Sequence, residues 1–400
     1  MRILIASDFY YPDVNGISYF AQRLAAGLAK RGHQIFVMAP ARAVRDNILT
    51  RDSVIIYSVR SIRVPIYPNF RASPPVLIRR DIEKHTRKIQ PNIIHIQDHF
   101  MVGREATLAA RKSNIPIIGT NHLMPENLIH YLRLPDFAEK KLKEFFWRDF
   151  SRVYRRLDAV TTATKTAAQL IEMLELEKDV VPISCGIDLE KFNPRNNGAY
   201  LKQRYGIPES HPVILYVGRL DREKRIELIL RALPQIVESV DAHLVLAGTG
   251  KLMAEFEHMA EEIGVRGRVT FPGFVPNEDL PSLYRMADVF VIAGTAELQS
   301  IVTMEAMASG LPIVAVNAVA LPELVHDGEN GYLFPEGDSE VLAQRASAIL
   351  SNPALKAKMG QKSLDIIQAH DIRMTLDKYE TLYGQVIAKH FRDSELRTVK

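Results

Sequence analysis

The chain has 400 residues, 47% of them hydrophobic and 24% charged, with a formal net charge of +4 at pH 7. That length and composition suit a folded protein with room for two domains, and they exclude a disordered or fibrous chain. A single cysteine, Cys185, excludes an internal disulfide framework and a cysteine-cluster metal site, and no run approaches the roughly 18 apolar residues of a spanning helix.

The first strand is expected at Arg2–Ala6; the apolar run that it forms is too short for a secretory signal, so the protein is expected to stay on the cytoplasmic side. The loop Asp8–Ser18 follows, with Gly16 opening a helix over about Ile17–Arg31 that lines up Phe20, Leu24 and Leu28. A glycine there permits close backbone approach to a ligand, or is a plain turn residue. The loop is not G-x-G-x-x-G and no G-x4-G-K-[ST] occurs, which weighs against a dinucleotide dehydrogenase or a P-loop enzyme. Further strands are expected at Gln34–Ala39, Asn92–Ile96, Ile115–Gly119, Ala159–Ala163 and Val180–Ile183. His99, in Gln97-Asp98-His99-Phe100, and His122, in Thr120-Asn-His122, stand at strand ends; each reads as a site histidine or a core one.

The pattern Phe137–Leu157 predicts a long helix with a packing stripe of Leu142, Phe146, Val153 and Leu157. Lys140, Lys141, Lys143, Arg148, Arg152, Arg155 and Arg156 supply charge, and Phe145, Trp147 and Tyr154 widen its apolar surface. Basic and aromatic residues together fit a membrane interface; a solvated basic face is the alternative. Arg60, Arg63, Arg71, Arg79 and Arg80, with Tyr67 and Phe70, extend the basic region. Residues 1–185 hold 28 Lys and Arg against 18 Asp and Glu, whereas 186–400 hold 23 against 29. The basic half needs an acidic partner, and without RGG, zinc-finger or RNP-like motifs an anionic membrane or substrate is preferred to nucleic acid.

Residues 184–198 have the Gly, Pro and Asn density of a linker. The alternation then restarts with strands at Pro212–Val217, His243–Ala247, Val269–Phe271, Val289–Ile292 and Ile313–Val316, and helices at Ser339–Leu350, Ala354–Ala369 and Ile372–Phe391 close the chain. Strands alternating with helices predict parallel sheets in two Rossmann-like α/β domains, with ligands at the strand ends. Gly218-Arg219-Leu-Asp-Arg-Glu-Lys224 follows a strand and offers a forked cation and a point charge to a diphosphate. Arg222 and Arg225 are expected to be solvated. In Glu297-Leu-Gln-Ser-Ile-Val-Thr-Met-Glu305, a helix starting near Ser300 places the amides of Gln299, Ser300 and Ile301 between two carboxylates, an arrangement suited to a nucleotide sugar. No D-x-D and no metal-ligand spacing occur, so no metal is expected.

These motifs, with the run EAMASGLPIVAV after Glu305, resemble retaining glycosyltransferase family 4. The resemblance implies the GT-B fold: an acceptor-side domain over residues 1–185, a hinge at 186–198, a donor domain over 199–371, and a last helix, 372–391, that rejoins the first domain. It implies a UDP- or GDP-hexose donor with no further cofactor, and Glu297 against the sugar hydroxyls with Glu305 against the ribose. Arg219 and Lys224 in the G-R-x4-K element beginning at Gly218 fall to the diphosphate, and Gly16 closes over the donor phosphates. Two positions depart from the pattern: Ser300 replaces a glycine and narrows the backbone's approach, and Cys185 replaces the hinge Asn. The T-x-H segment ending at His122, with His130-Tyr131 after it, resembles that of lipid glycosyltransferases, and Gln299 resembles the diacylglycerol glucosyltransferases. The expected activity is therefore front-side hexosyl transfer, with retention, to a lipid such as diacylglycerol at the inner face of the membrane. A phosphatidylinositol mannosyltransferase, an enzyme with a soluble sugar acceptor, a sugar-nucleotide epimerase and a bilobal sugar-binding protein are the alternatives.

Overall fold

The computed structural model describes residues 1–13, 15–41, 48–64, 71–125, 135–176 and 178–398. Tyr67, Phe70, His130 and Tyr131 lie outside the described residues. The chain divides into two compact units, Met1–Ser184 with Thr375–Lys400, and Cys185–Met374. Both are Rossmann-like α/β structures built on parallel sheets.

In the first unit the strands are β1 (Arg2–Ala6), β2 (Gln34–Pro40), β3 (Ile48–Arg51), β4 (Val54–Val59), β5 (Ile62–Arg63), β6 (Arg71–Ala72), β7 (Ile93–Ile96), β8 (Ile117–Asn121), β9 (Ala159–Thr162) and β10 (Val180–Pro182). Eight of them form one sheet in the order β10-β9-β8-β7-β1-β2-β4-β3, and β5 pairs with β6 alone. Only β3 runs antiparallel in the large sheet. The central strands are apolar on both faces, as a sheet covered by helices requires: Ile3, Leu4, Ile5, Ile93, Ile94 and Ile118 are fully buried.

Helices α1 (Gly16–Lys30) and α3 (Met101–Lys112) follow β1 and β7 of this sheet, and α2 (Pro75–Ile89) follows β6. Asn15 caps α1 by accepting from the Ser18 amide. Asp8, at the end of β1, accepts from the amides of Val102 and Gly103 and so caps α3 from another loop. Burial and the neighbouring carboxyl of Asp98 hold the Asp8 pKa well above the usual carboxylate range.

The last helix, Ile372–Thr398, contributes its residues from Thr375 onward to this unit's core. Tyr379 and Tyr383 are fully buried and reach the sheet through hydroxyls. His95 on β7 bonds the Tyr383 hydroxyl through Nδ1 at 2.8 Å and Thr120 Oγ1 through Nε2 at 2.7 Å. Thr120 Oγ1 meets Thr161 Oγ1 at 2.6 Å, and the Tyr379 hydroxyl lies 3.1 Å and 3.3 Å from the two. Each of these groups would cost about 1–3 kcal/mol if left buried without a partner, so the network fixes the helix to the sheet.

The second unit holds β11 (Val213–Val217), β12 (His243–Ala247), β13 (Val269–Gly273), β14 (Val289–Ile292), β15 (Ile313–Val316) and β16 (Gly331–Phe334), in the order β13-β12-β11-β14-β15-β16. All of its strand pairs are parallel. The sheet order reverses between β11 and β14, which makes the loops after these two strands a switch point. Residues 185–198 contribute to the core through Ile187 and Phe192, both buried, and Ile187 bridges to Asp371.

Candidate active site

Two segments of the second unit, 218–224 after β11 and 297–305 after β14, carry the expected donor residues. Gly218 leaves β11 at φ +153°, and a Cβ there would meet the Tyr216 hydroxyl at 2.6 Å. Gly248, after β12, packs so closely that its Cβ would lie 1.8 Å from the Gly218 carbonyl oxygen, so the two loops interlock backbone on backbone.

Arg219, one residue on, has its guanidinium held by Asp221 at 3.0 Å and by Glu223. Lys224 donates to Glu297 Oε1 at 2.5 Å, joining the loop after β11 to the loop after β14. Both cations are partly buried and stand among carboxylates that are more buried than they are. Such pairing holds the cations in place before any ligand arrives and orients the Arg219 fork. Arg222 is exposed, whereas Arg225, expected to be solvated, binds Glu227 at 2.8 Å.

The helix Ile301–Ala308 begins beside this pair. Ser300 is its N-cap: the hydroxyl accepts from the Thr303 amide at 3.3 Å and from the Thr303 hydroxyl at 2.8 Å. Ser300, expected to narrow the backbone's approach, has its buried hydroxyl engaged by its own helix. The amides of Ile301 and Val302 are the first two of the helix and have no acceptor within it. Gln299, expected at the donor, uses its side-chain oxygen to accept from the Cys185 amide at 2.7 Å. That contact ties the carboxylate-bearing loop to the segment 185–198.

Glu305 stands in the second turn, buried, and accepts from the Tyr284 hydroxyl at 2.9 Å. Burial, and then the Glu305 charge, push the Tyr284 phenol well above its usual pKa, so it remains a donor. Tyr216 is raised in the same way, by burial first and by Glu297 and Glu223 after it.

In the first unit, Gly16 is exposed as the first residue of α1. His122, just past β8, donates through Nε2 to Gln97 Oε1, 3.0 Å away, and its ring lies 4.7 Å from that of Phe20. Burial pushes its pKa down to about 3, so the imidazole is neutral at physiological pH. His99 is a core residue: it is buried among Phe100, Phe146, Phe150 and Tyr154, and burial lowers its pKa to about 4.

The helix Asp136–Tyr154 buries Phe146, Phe150, Val153 and Tyr154. Of the aromatics expected to widen its apolar surface, Tyr154 is buried and donates its hydroxyl to the Thr120 carbonyl, and Trp147 is half-buried against the core. The outer face instead presents Phe137, Lys141, Phe145, Arg148 and Arg152 at helical spacing, with the Arg148 guanidinium 5.8 Å from the Phe145 ring centre. Among the described residues no helix is long and apolar enough to cross a membrane.

Sequence reading missed several partners. Asp221 and Glu223 stand inside the G-R-x4-K element and were readable as its counter-ions. Gln97 lies two residues before His99 with no local mark. Tyr284 reaches Glu305 only through the tertiary fold.

Two family profiles match the chain: "Glycosyltransferase Family 4" over residues 14–191 and "Glycosyl transferases group 1" over 200–365. Alpha-monoglucosyldiacylglycerol synthase of Streptococcus pneumoniae is 26% identical over 402 residues, covering 98% of this chain and 88% of the relative. The protein of that name from Acholeplasma laidlawii is 25% identical, covering 98% of each. Among solved structures, sucrose-phosphate synthase of Thermosynechococcus elongatus superposes with a TM-score of 0.82 at 22% identity, covering 97% of this chain and 100% of that one. With glycosyltransferase profiles matching residues 14–191 and 200–365, this protein belongs to glycosyltransferase family 4 and has the GT-B fold.

Proposed function

We propose that this enzyme moves a hexose, glucose by preference, from a UDP- or GDP-sugar to the hydroxyl of a membrane lipid of the diacylglycerol type, with retention at the anomeric carbon. The observation that carries the reading is the Lys224–Glu297 pair beside the open amides of Ile301 and Val302, with Arg219 and Glu305 on the flanking segments. Cations and helix amides suit a diphosphate, and carboxylates suit hydroxyls. In this reading the second unit binds the donor. Arg219 and Lys224 stabilise the departing diphosphate, Glu297 binds the sugar hydroxyls and Glu305 the ribose. Gly218 and the backbone of Gln299, Ser300 and Ile301 permit close approach.

The first unit takes the acceptor, with Gly16 at the donor phosphates and His122 bonded to a hydroxyl of sugar or acceptor. The bond from the anomeric carbon to the diphosphate oxygen breaks as the acceptor oxygen adds on the same face, and the acceptor proton passes to the departing phosphate. The lipid assignment is supported by the two alpha-monoglucosyldiacylglycerol synthases, each matched across 98% of this chain, and by the basic and aromatic face of the helix Asp136–Tyr154. In this reading that face rests peripherally on an anionic membrane surface, at its cytoplasmic side.

Incubation with a panel of nucleotide sugars and a lipid extract tests this directly: mass analysis is expected to find one hexose added to diacylglycerol. A product on soluble acceptors only, or an epimerised donor with no transfer, overturns it. The reaction is expected to keep its full rate under exhaustive chelation, since Arg219, Lys224 and amides supply the positive charge; loss restored by a divalent ion refutes this. Glu305→Gln keeps an acceptor for Tyr284 but loses the charge, and should weaken nucleoside diphosphate binding about 10-fold or more. Unchanged affinity by calorimetry removes Glu305 from the ribose.

A further inference from the structure

We propose that Gln97 is a positioning residue for the transfer reaction: it fixes the His122 imidazole as the Nε2–H tautomer, so that Nδ1 serves as a hydrogen-bond acceptor for a substrate hydroxyl. The role toward substrate rests on the glycosyltransfer reading above; the tautomer itself does not.

Gln97 follows β7 and is fully buried. Its amide N–H donates to the Ala6 carbonyl at 2.9 Å, which pins the residue to the neighbouring strand β1. Its side-chain Oε1 stands 3.0 Å from His122 Nε2. An amide oxygen only accepts, so the ring nitrogen facing it must carry the proton. A neutral imidazole has one N–H, and the proton on Nε2 leaves Nδ1 with a lone pair. The ring cannot turn freely, because Phe20 packs against it from α1 with ring centres 4.7 Å apart.

Nor does the ring gain a second proton at ordinary pH. His95, the titratable neighbour on β7, is fully buried, neutral, and committed to Tyr383 and Thr120. A hydroxyl that donates to Nδ1 is therefore accepted, and a group offering only lone pairs is refused. Gln97 Nε2 is buried and has no partner among the described residues, which is costly for an amide and marks the side chain as placed for more than packing.

The test is nitrogen-15 NMR of the histidine rings in the full chain, with the His122 signals assigned by their absence from His122→Asn. Long-range couplings separate Nε2–H, Nδ1–H and doubly protonated rings. Wild type is expected to show Nε2–H from about pH 5 to 9. Gln97→Met, similar in length but unable to accept strongly, is expected to give mixed tautomers and to lower kcat about 10-fold with little change in donor KM. Gln97→Glu is expected to raise the imidazole pKa, adding an ionisation between about pH 5 and 8 to both the spectrum and the pH–rate profile.

A wild-type Nδ1–H ring, or a pure Nε2–H ring in Gln97→Met, overturns the tautomer assignment. If one variant does not fold, the wild-type spectrum and the other variant still decide it. Mixed tautomers with an unchanged rate and pH profile overturn the positioning role and leave the transferase reading standing. Absence of transfer by the wild type, with the Nε2–H ring confirmed, refutes that reading and not the tautomer.

Discussion

Lys224→Ala is expected to lower turnover about 10²-fold or more, because the charge that meets the leaving diphosphate is removed. The same substitution also deprives Glu297 of its cation, and a carboxylate left partly buried without a partner is itself destabilising. The double variant Lys224→Ala/Glu297→Gln, compared with Glu297→Gln alone, separates the two effects. If the lost charge on the leaving group dominates, the double variant is much slower than Glu297→Gln alone. If the orphaned carboxylate dominates, the two have similar rates, and Lys224 drops out of the diphosphate site. Arg219→Ala is expected to show a loss of similar size, since Asp221 and Glu223 would then face the phosphates without their cation. Near-normal rates in both single variants would remove the loop after β11 from the chemistry.

Replacing Lys140, Lys141, Arg148 and Arg152 with Gln is expected to weaken binding to anionic vesicles by roughly two to three orders of magnitude, given about 1 kcal/mol for each basic residue near the surface. Salt should weaken wild-type binding in the same direction, because the Debye length is only about 8 Å at physiological ionic strength. Activity on lipid acceptors should fall with it while nucleotide binding stays intact. Phe137→Ser with Phe145→Ser should remove the part of binding that survives high salt, since both rings are exposed on the same face. Vesicle binding that ignores lipid charge and salt, or that is unaltered in the fourfold variant, returns the helix Asp136–Tyr154 to an ordinary solvated element.

The sheets were legible because strands buried on both faces must be apolar at nearly every position. His243–Ala247, Val289–Ile292 and Ile313–Val316 therefore begin and end where their sequences predict. The hairpin of β3 and β4 was not foreseen. Every residue of β3 is exposed on the sheet edge, so nothing in its sequence is shaped by burial. For β4, Val54–Val59, the apolar run was present and readable.

The donor segments were legible for a different reason: charge, glycine and a helix start sit close together in sequence. What supports them is not. Tyr284 meets Glu305 from another helix, and Gln97 meets His122 from the neighbouring strand. The helix Asp136–Tyr154 shows the limit most plainly. Its periodicity identifies Phe146 and Val153 as buried, but only the position of the sheet decides that Tyr154 reaches Thr120 while Phe145 stays outside.

The hydroxyl network that joins His95, Thr120 and Thr161 to Tyr379 and Tyr383 makes the first unit discontinuous along the chain, and this sets an order of events during synthesis. When residue 184 leaves the ribosome, the sheet strands of that unit are present but three of their buried polar side chains still lack the tyrosines that satisfy them. About 190 residues intervene before Thr375 appears, on the order of ten to forty seconds of translation. The second unit, continuous in sequence, is complete first, and the unit that begins the chain is the one that finishes folding last.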